Sequence, residues 1–152
     1  VFVEEGIGWQ LIDGRVRMRS DEAFEEMLTD GMQALDDADM PTATAELHEA
    51  IQDLSRRPTP DLSGALHHAM AALECVAREV VGNKNPGFGG ILTKYPDLLP
   101  SPLNEAAAKL WGYASVQGRH GSEARTLEWA ETQLVVGICA VLCSYLSQKC
   151  ED

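Results

Sequence analysis

The run Gly118-Arg119-His120-Gly121 is the one place in this sequence where a cation stands directly beside a group that titrates near neutral pH. Its two glycines permit close approach of a ligand or of another backbone. Thr126 follows shortly. Its hydroxyl reads as the cap of the last helix, whose first free N–H groups would favour an anion. This combination suits a phosphate or a scissile phosphodiester. His120 is the candidate general acid or base, and Arg119 the group that stabilises developing negative charge. Tyr113, Ser115, Gly121 and Thr126 are the candidate ligand contacts around them. No carboxylate cluster accompanies these residues, so no metal and no other cofactor is expected. The competing reading is a surface loop in which Arg119 pairs with Glu123.

The remaining chemistry-bearing residues have plainer readings. His67 and His68 lie on a helix, beside its apolar stripe, where hydrogen-bonded histidines are the ordinary case. Neither has metal-ligand spacing to His48 or Glu74. Glu74 and Arg78 form an i,i+4 pair in the favourable order. Gly87, Gly89 and Gly90 lack the strand before and the Lys-Ser/Thr after that a nucleotide loop requires. Cys75, Cys139, Cys143 and Cys150 contain no Cys-x-x-Cys pair and read as free thiols of a reducing, cytoplasmic compartment.

The elements that must position these residues follow from periodicity. Ile7, Trp9 and Leu11 alternate with polar or small residues up to the turn signal Asp13-Gly14, and alternation resumes over Arg15 to Arg19. The pattern predicts a small β-hairpin. From Asp21 the period becomes helical. Phe24, Leu28, Gly31 and Leu35 form one stripe. Pro41 opens a second helix carrying Leu47, Ile51 and Leu54. Thr59-Pro60 reads as the start of a central helix through Leu66, Leu73 and Val76, which Gly82-Asn83 ends. A short helix is expected around Gly90 to Tyr95. Another follows Ser101-Pro102, striped by Leu103, Ala107, Leu110 and Ala114. A loop is expected over 115–125, then a closing helix that is apolar on most sides from Leu134 to Leu146. The expected core is Leu66, Leu73, Val76, Leu110, Leu134 and Ile138. The predicted class is an all-α helical bundle with a small N-terminal β-hairpin. Residues 1–58 would supply the hairpin and two helices that pack on the bundle formed by residues 59–152.

Charge narrows the partners. Acidic residues number 24 against 12 basic, a formal net charge of −12. Such a field opposes phosphate backbones and anionic membranes at long range, so any RNA or nucleotide contact needs a local basic site. The longest uncharged apolar run, Leu134 to Leu142, is short of the roughly 20 residues of a spanning helix, and no membrane partner is expected. The sequence opens on Val1 rather than Met, which leaves other domains of a longer chain as possible partners. A closing helix apolar on more faces than one small bundle needs predicts a homodimer.

The stretch from Ala65 to Leu146 resembles the HEPN-like C-terminal domains of abortive-infection (antiphage defence) proteins. The resemblance is carried by Ala71-Ala72-Leu73-Glu74 with Arg78, then Gly90-Ile91-Leu92 with Lys94. Leu110-Trp111-Gly112-Tyr113-Ala114-Ser115 follows and leads into Arg119-His120-Gly121, and the apolar helix from Glu131 to Leu146 closes the order. It covers about half the chain, and the Arg-His-Gly loop is its most specific part. It implies a HEPN-like helical bundle that dimerises. Many members of that family are metal-independent ribonucleases with an Arg a few residues before the His. Those positions here are Tyr113, Ala114 and Ser115. The chain is similar instead to a variant with a Ser and then an Arg directly before the His. The leading expectation is therefore a non-catalytic dimerisation or nucleotide/RNA-binding module of a bacterial defence protein. A metal-independent endoribonuclease using His120 and Arg119, and a plain helical protein-interaction domain, are the alternatives.

Overall fold

A computed structural model of the chain describes residues 9–18, 21–119 and 126–150. Strands β1 (Trp9–Ile12) and β2 (Arg15–Met18) pair antiparallel, with Trp9 opposite Met18 and Ile12 opposite Arg15. Asp13 and Gly14 turn between them at φ 50° and 76°. The rest is a helical bundle: α1 (Glu22–Asp37), α2 (Pro41–Leu54), α3 (Leu62–Val81), α4 (Phe88–Lys94), α5 (Leu103–Arg119) and α6 (Trp129–Ser147).

Local chemistry sets most of the helix ends. The Asp21 carboxylate accepts the Ala23 N–H at 2.9 Å, and Glu22 and Glu25 occupy the first turn, at the positive end of the α1 dipole. Pro41 stands at the start of α2, where its missing N–H costs nothing. Gly82 ends α3 in the left-handed conformation at φ 63°, with its N–H on the Glu79 carbonyl and that of Asn83 on the Arg78 carbonyl. The start of α3 differs from the sequence expectation. Thr59 does not cap it. Asp61 does, through a 2.8 Å bond from the Gly64 N–H, so Pro60 lies just outside. A carboxylate that directly precedes the first turn outcompetes a hydroxyl two residues further back.

One continuous core joins the elements. The central helix α3 packs against α2, α6, α5 and α4, while α1 lies against α6 and α2. The buried side chains of α1 are those of its expected stripe: Phe24, Leu28 and Leu35, with Gly31 between them. Leu66, Leu73 and Val76 of α3 are buried as expected. Leu110 and Ile138 are only half-buried, and Leu134 is exposed at 61%. The reason lies in α6. It touches α1 and α3 through Val135, Val136, Cys139, Ala140 and Cys143, which turns Leu134 outward. Burial pushes the Cys139 thiol up to about 12, and the Cys143 thiol also rises, so both stay protonated. Helix α6 with the 3-10 turn after it, Trp129–Cys150, is longer than the run read from sequence. By length and composition it could cross a bilayer, yet half of its apolar window is buried in this bundle.

Close approach of α1 and α6 depends on a missing side chain. A Cβ on Gly31 would stand 3.0 Å from the Ala140 carbonyl oxygen and 3.2 Å from its Cβ, both fixed by the helix. A Cβ on Gly112, mid-α5, would meet nothing within 4 Å. Gly31→Val should therefore cost about 1–3 kcal/mol through overpacking. Gly112→Ala should add roughly 0.5–1 kcal/mol from helix propensity alone. Urea unfolding of the two variants checks both signs; equal effects would mean that the α1–α6 crossing is looser than described.

Candidate functional site

Helix α5 continues past the point where a loop was expected. Ser115, Val116 and Gln117 are helical, and the helix ends only at Arg119. Ala107 and Ala114 of α5, buried where it packs against α3, hold the helix in register, which overrides the weak helix preference of Ser115 and Gly118. Thr126 does not cap α6 either. It is exposed and precedes the helix, whose N-cap is Glu128 and whose first turn is tied by the Thr132 hydroxyl donating to the Glu128 carbonyl at 2.9 Å. His120 and Gly121 lie outside the described residues, as does Glu123. Arg119 is placed as the last residue of α5. The six candidate residues are therefore not assembled by any described contact. Tyr113 and Ser115 are two apart on one helix and face different ways: Tyr113 is 39% exposed, whereas Ser115 enters a cleft.

That cleft runs between α3 and α5 and has a volume of about 390 Å³. Its walls are His67, Met70, Ala71 and Glu74 from α3, and Trp111, Ala114 and Ser115 from α5. The spacings place them there. His67, Ala71 and Glu74 recur on one face of α3, as Trp111 and Ser115 do on α5. Arg119 follows Ser115 by one further turn of α5.

Glu74 is the organising residue of this end of the bundle. Its Oε1 is 2.6 Å from Arg78 Nη2, and its Oε2 accepts the Phe88 N–H at 3.1 Å. Arg78 in turn donates through Nε to the Pro86 carbonyl at 3.0 Å. The i,i+4 pair read from sequence thus ties α3 to the start of α4. Gly87 lets the carboxylate in, since a Cβ there would lie 3.2 Å from Glu74 Oε2. Phe88 is fully buried and meets the Trp111 ring at a centroid distance of 5.1 Å and a tilt of 51°. Gly89 lies against the same indole edge. So α4 fixes Trp111 from one side, and the cleft lies on another.

A second polar group joins α2 to α3. His68 Nδ1 is 2.7 Å from Glu46 Oε2, and its Nε2 is 3.7 Å from Asp53 Oδ2. Asp53 is buried, with Arg56 Nη2 2.8 Å from its Oδ1, and its carbonyl accepts the Asp61 N–H at 2.9 Å. Burial raises the Asp53 carboxyl above its ordinary 3.8, against the opposing pull of Arg56. A raised folded value means that this group contributes most to stability below its unfolded pKa, and that the contribution fades as pH rises through the folded one. His68 is thus the hydrogen-bonded structural histidine expected for this helix, while His67 beside it is exposed. Among the described residues, no three His, Cys, Asp or Glu side chains are placed to hold a metal ion.

The third feature is apolar. Helices α5 and α6 both rest on α3 but pack little on each other, and an open groove of about 540 Å³ runs between them. Leu103, Ala106 and Leu110 form one wall; Ile138, Val141 and Tyr145 form the other. Leu103, Val141 and Tyr145 are 58%, 46% and 39% exposed, unusual for side chains of this size and placed side by side. Sequence reasoning singled out none of the cleft residues of α3 as functional, although their same-face spacing was readable. What periodicity lacks is the identity of the helix that faces them.

Compared with known proteins, the chain matches no family model, no curated protein and no solved structure.

Proposed function

We propose that this chain is a HEPN-like, non-catalytic helical module that works as a homodimer, with a second copy docked on the α5–α6 groove. The observation that carries the reading is the groove itself. It is an apolar trough whose walls leave Leu103, Val141 and Tyr145 in water, each at a cost that burial against a partner would recover, at about 25 cal/mol per Å². Net charge opposes association of two copies, so a second copy fits only if the face it meets is uncharged. Each chain carries −12, and repulsion between two copies is least where the facing surfaces hold no acid. From Thr132 to its end at Ser147, α6 has no charged residue. The resemblance of Ala65 to Leu146 to HEPN-like domains agrees with a paired assembly. RNA cleavage by His120 and Arg119 draws on that resemblance and on the residue types alone, and it ranks second for that reason.

Sedimentation velocity tests the proposal. At about 50 µM, well above the dissociation constant of a specific interface, the wild type should sediment as a dimer. Val141→Asp, which puts a carboxylate in the groove wall, should leave a folded monomer. Val116→Asp changes a residue that is somewhat more exposed, at 54%, but is not in the groove, and it should remain dimeric. A monomeric wild type, or a Val141→Asp variant that still dimerises, overturns the reading.

A further inference from the structure

We infer that the α3–α5 cleft is a binding site for a small organic cation, an ammonium carried on an apolar body. This inference is independent of dimerisation. The cleft's volume, about 390 Å³, falls inside the roughly 300–1,000 Å³ typical of ligand sites. Its lining contains one carboxylate, Glu74, and no cation. The Arg78 guanidinium neutralises part of that charge but is not part of the lining, and its Nη2 and Nε are turned to Glu74 and the Pro86 carbonyl. Each Glu74 oxygen has one protein partner, so each retains a free lone pair. Neither the His67 imidazole nor the Ser115 hydroxyl makes a hydrogen bond to the described residues.

An ammonium has three donors and no acceptor. The cleft offers acceptors of three kinds: a carboxylate oxygen of Glu74, an imidazole nitrogen of His67 and the Ser115 oxygen. The Trp111 indole, braced by Phe88 and Gly89, adds to the lining the ring type that attracts a cation most strongly. Met70, Ala71 and Ala114 leave an apolar floor for the ligand's body. The long-range field acts in the same direction. A chain of net charge −12 concentrates cations at its surface and depletes anions, so an anionic ligand of similar shape is disfavoured before it reaches the cleft.

Phenethylammonium is the probe, with 2-phenylethanol as its neutral counterpart and 3-phenylpropanoate and adenosine monophosphate as anions. The readout is the ¹H–¹⁵N spectrum of the intact chain, with the Trp111 indole signal assigned by its loss in Trp111→Phe. Phenethylammonium should shift that signal saturably, with a dissociation constant of about 1 mM or tighter. The alcohol should bind at least about threefold more weakly, and the anions should not saturate over the same range. The double variant His67→Ala/Ser115→Ala alters one exposed and one half-buried side chain. It should weaken the cation about tenfold while leaving the rest of the spectrum in place. Glu74→Gln keeps an acceptor for the Phe88 N–H and should abolish the preference for cation over alcohol. If Glu74→Gln does not fold, the double variant decides alone. No shift with the cation, equal or tighter binding of either anion, or unchanged affinity in the double variant each overturns the inference.

Discussion

Replacing Phe88 by Ala should lower the unfolding free energy by about 3–5 kcal/mol and the melting temperature by roughly 10 °C or more. Phe88 is the largest fully buried side chain among the described residues. It stands at the first position of α4, where its N–H is held by Glu74 and its ring packs against Trp111. Truncation leaves a void between α3, α4 and α5 that no neighbour fills easily, because Glu74 and Arg78 hold α4 in place from the other side. The loss should be accompanied by a change at Trp111, visible in the same indole signal that reports on the cleft. Urea unfolding followed by circular dichroism measures the first effect. A loss below about 1 kcal/mol would mean that α4 does not cover α3 in solution and that the cleft lacks its rigid wall.

Leu73→Ala should cost about 2–5 kcal/mol, and Leu134→Ala less than about 0.5 kcal/mol. The contrast matters more than either value. Both leucines read as core from periodicity. Leu73 is 1% exposed at the middle of α3, between α4, α5 and α6, whereas Leu134 is 61% exposed on α6. The same unfolding measurement on both variants separates them. If they cost the same, α6 is rotated relative to its described packing on α1 and α3. A large cost at Leu134 that appears only at concentrations where the chain dimerises would instead place that residue at the subunit interface.

What the sequence determined by itself is what depends on neighbours within a turn or two. The stripe of Phe24, Leu28, Gly31 and Leu35, the start of α2 at Pro41, the end of α3 at Gly82 and the Glu74–Arg78 pair all rest on such spacing, and all were readable in advance. The short helix between Asn85 and Pro100 was readable too, because proline and glycine bracket it. Tertiary structure decided the rest. Helix α6 is apolar nearly all round, so its periodicity has no marked polar face. Only the positions of α1 and α3 select Val135, Val136 and Cys139 over Leu134 for burial. The loop expected from Ser115 became the last turns of α5 because contact with α3 extends a helix beyond its intrinsic preference. That extension also set Ser115 on a helix face, beside Trp111 in the cleft wall. The cleft has the same origin. His67 and Glu74 lie far from Trp111 and Ser115 in sequence, and no periodicity says which face of one helix meets which face of another. Only the packing of α3 against α5, around Phe88, brings their polar groups to one cavity.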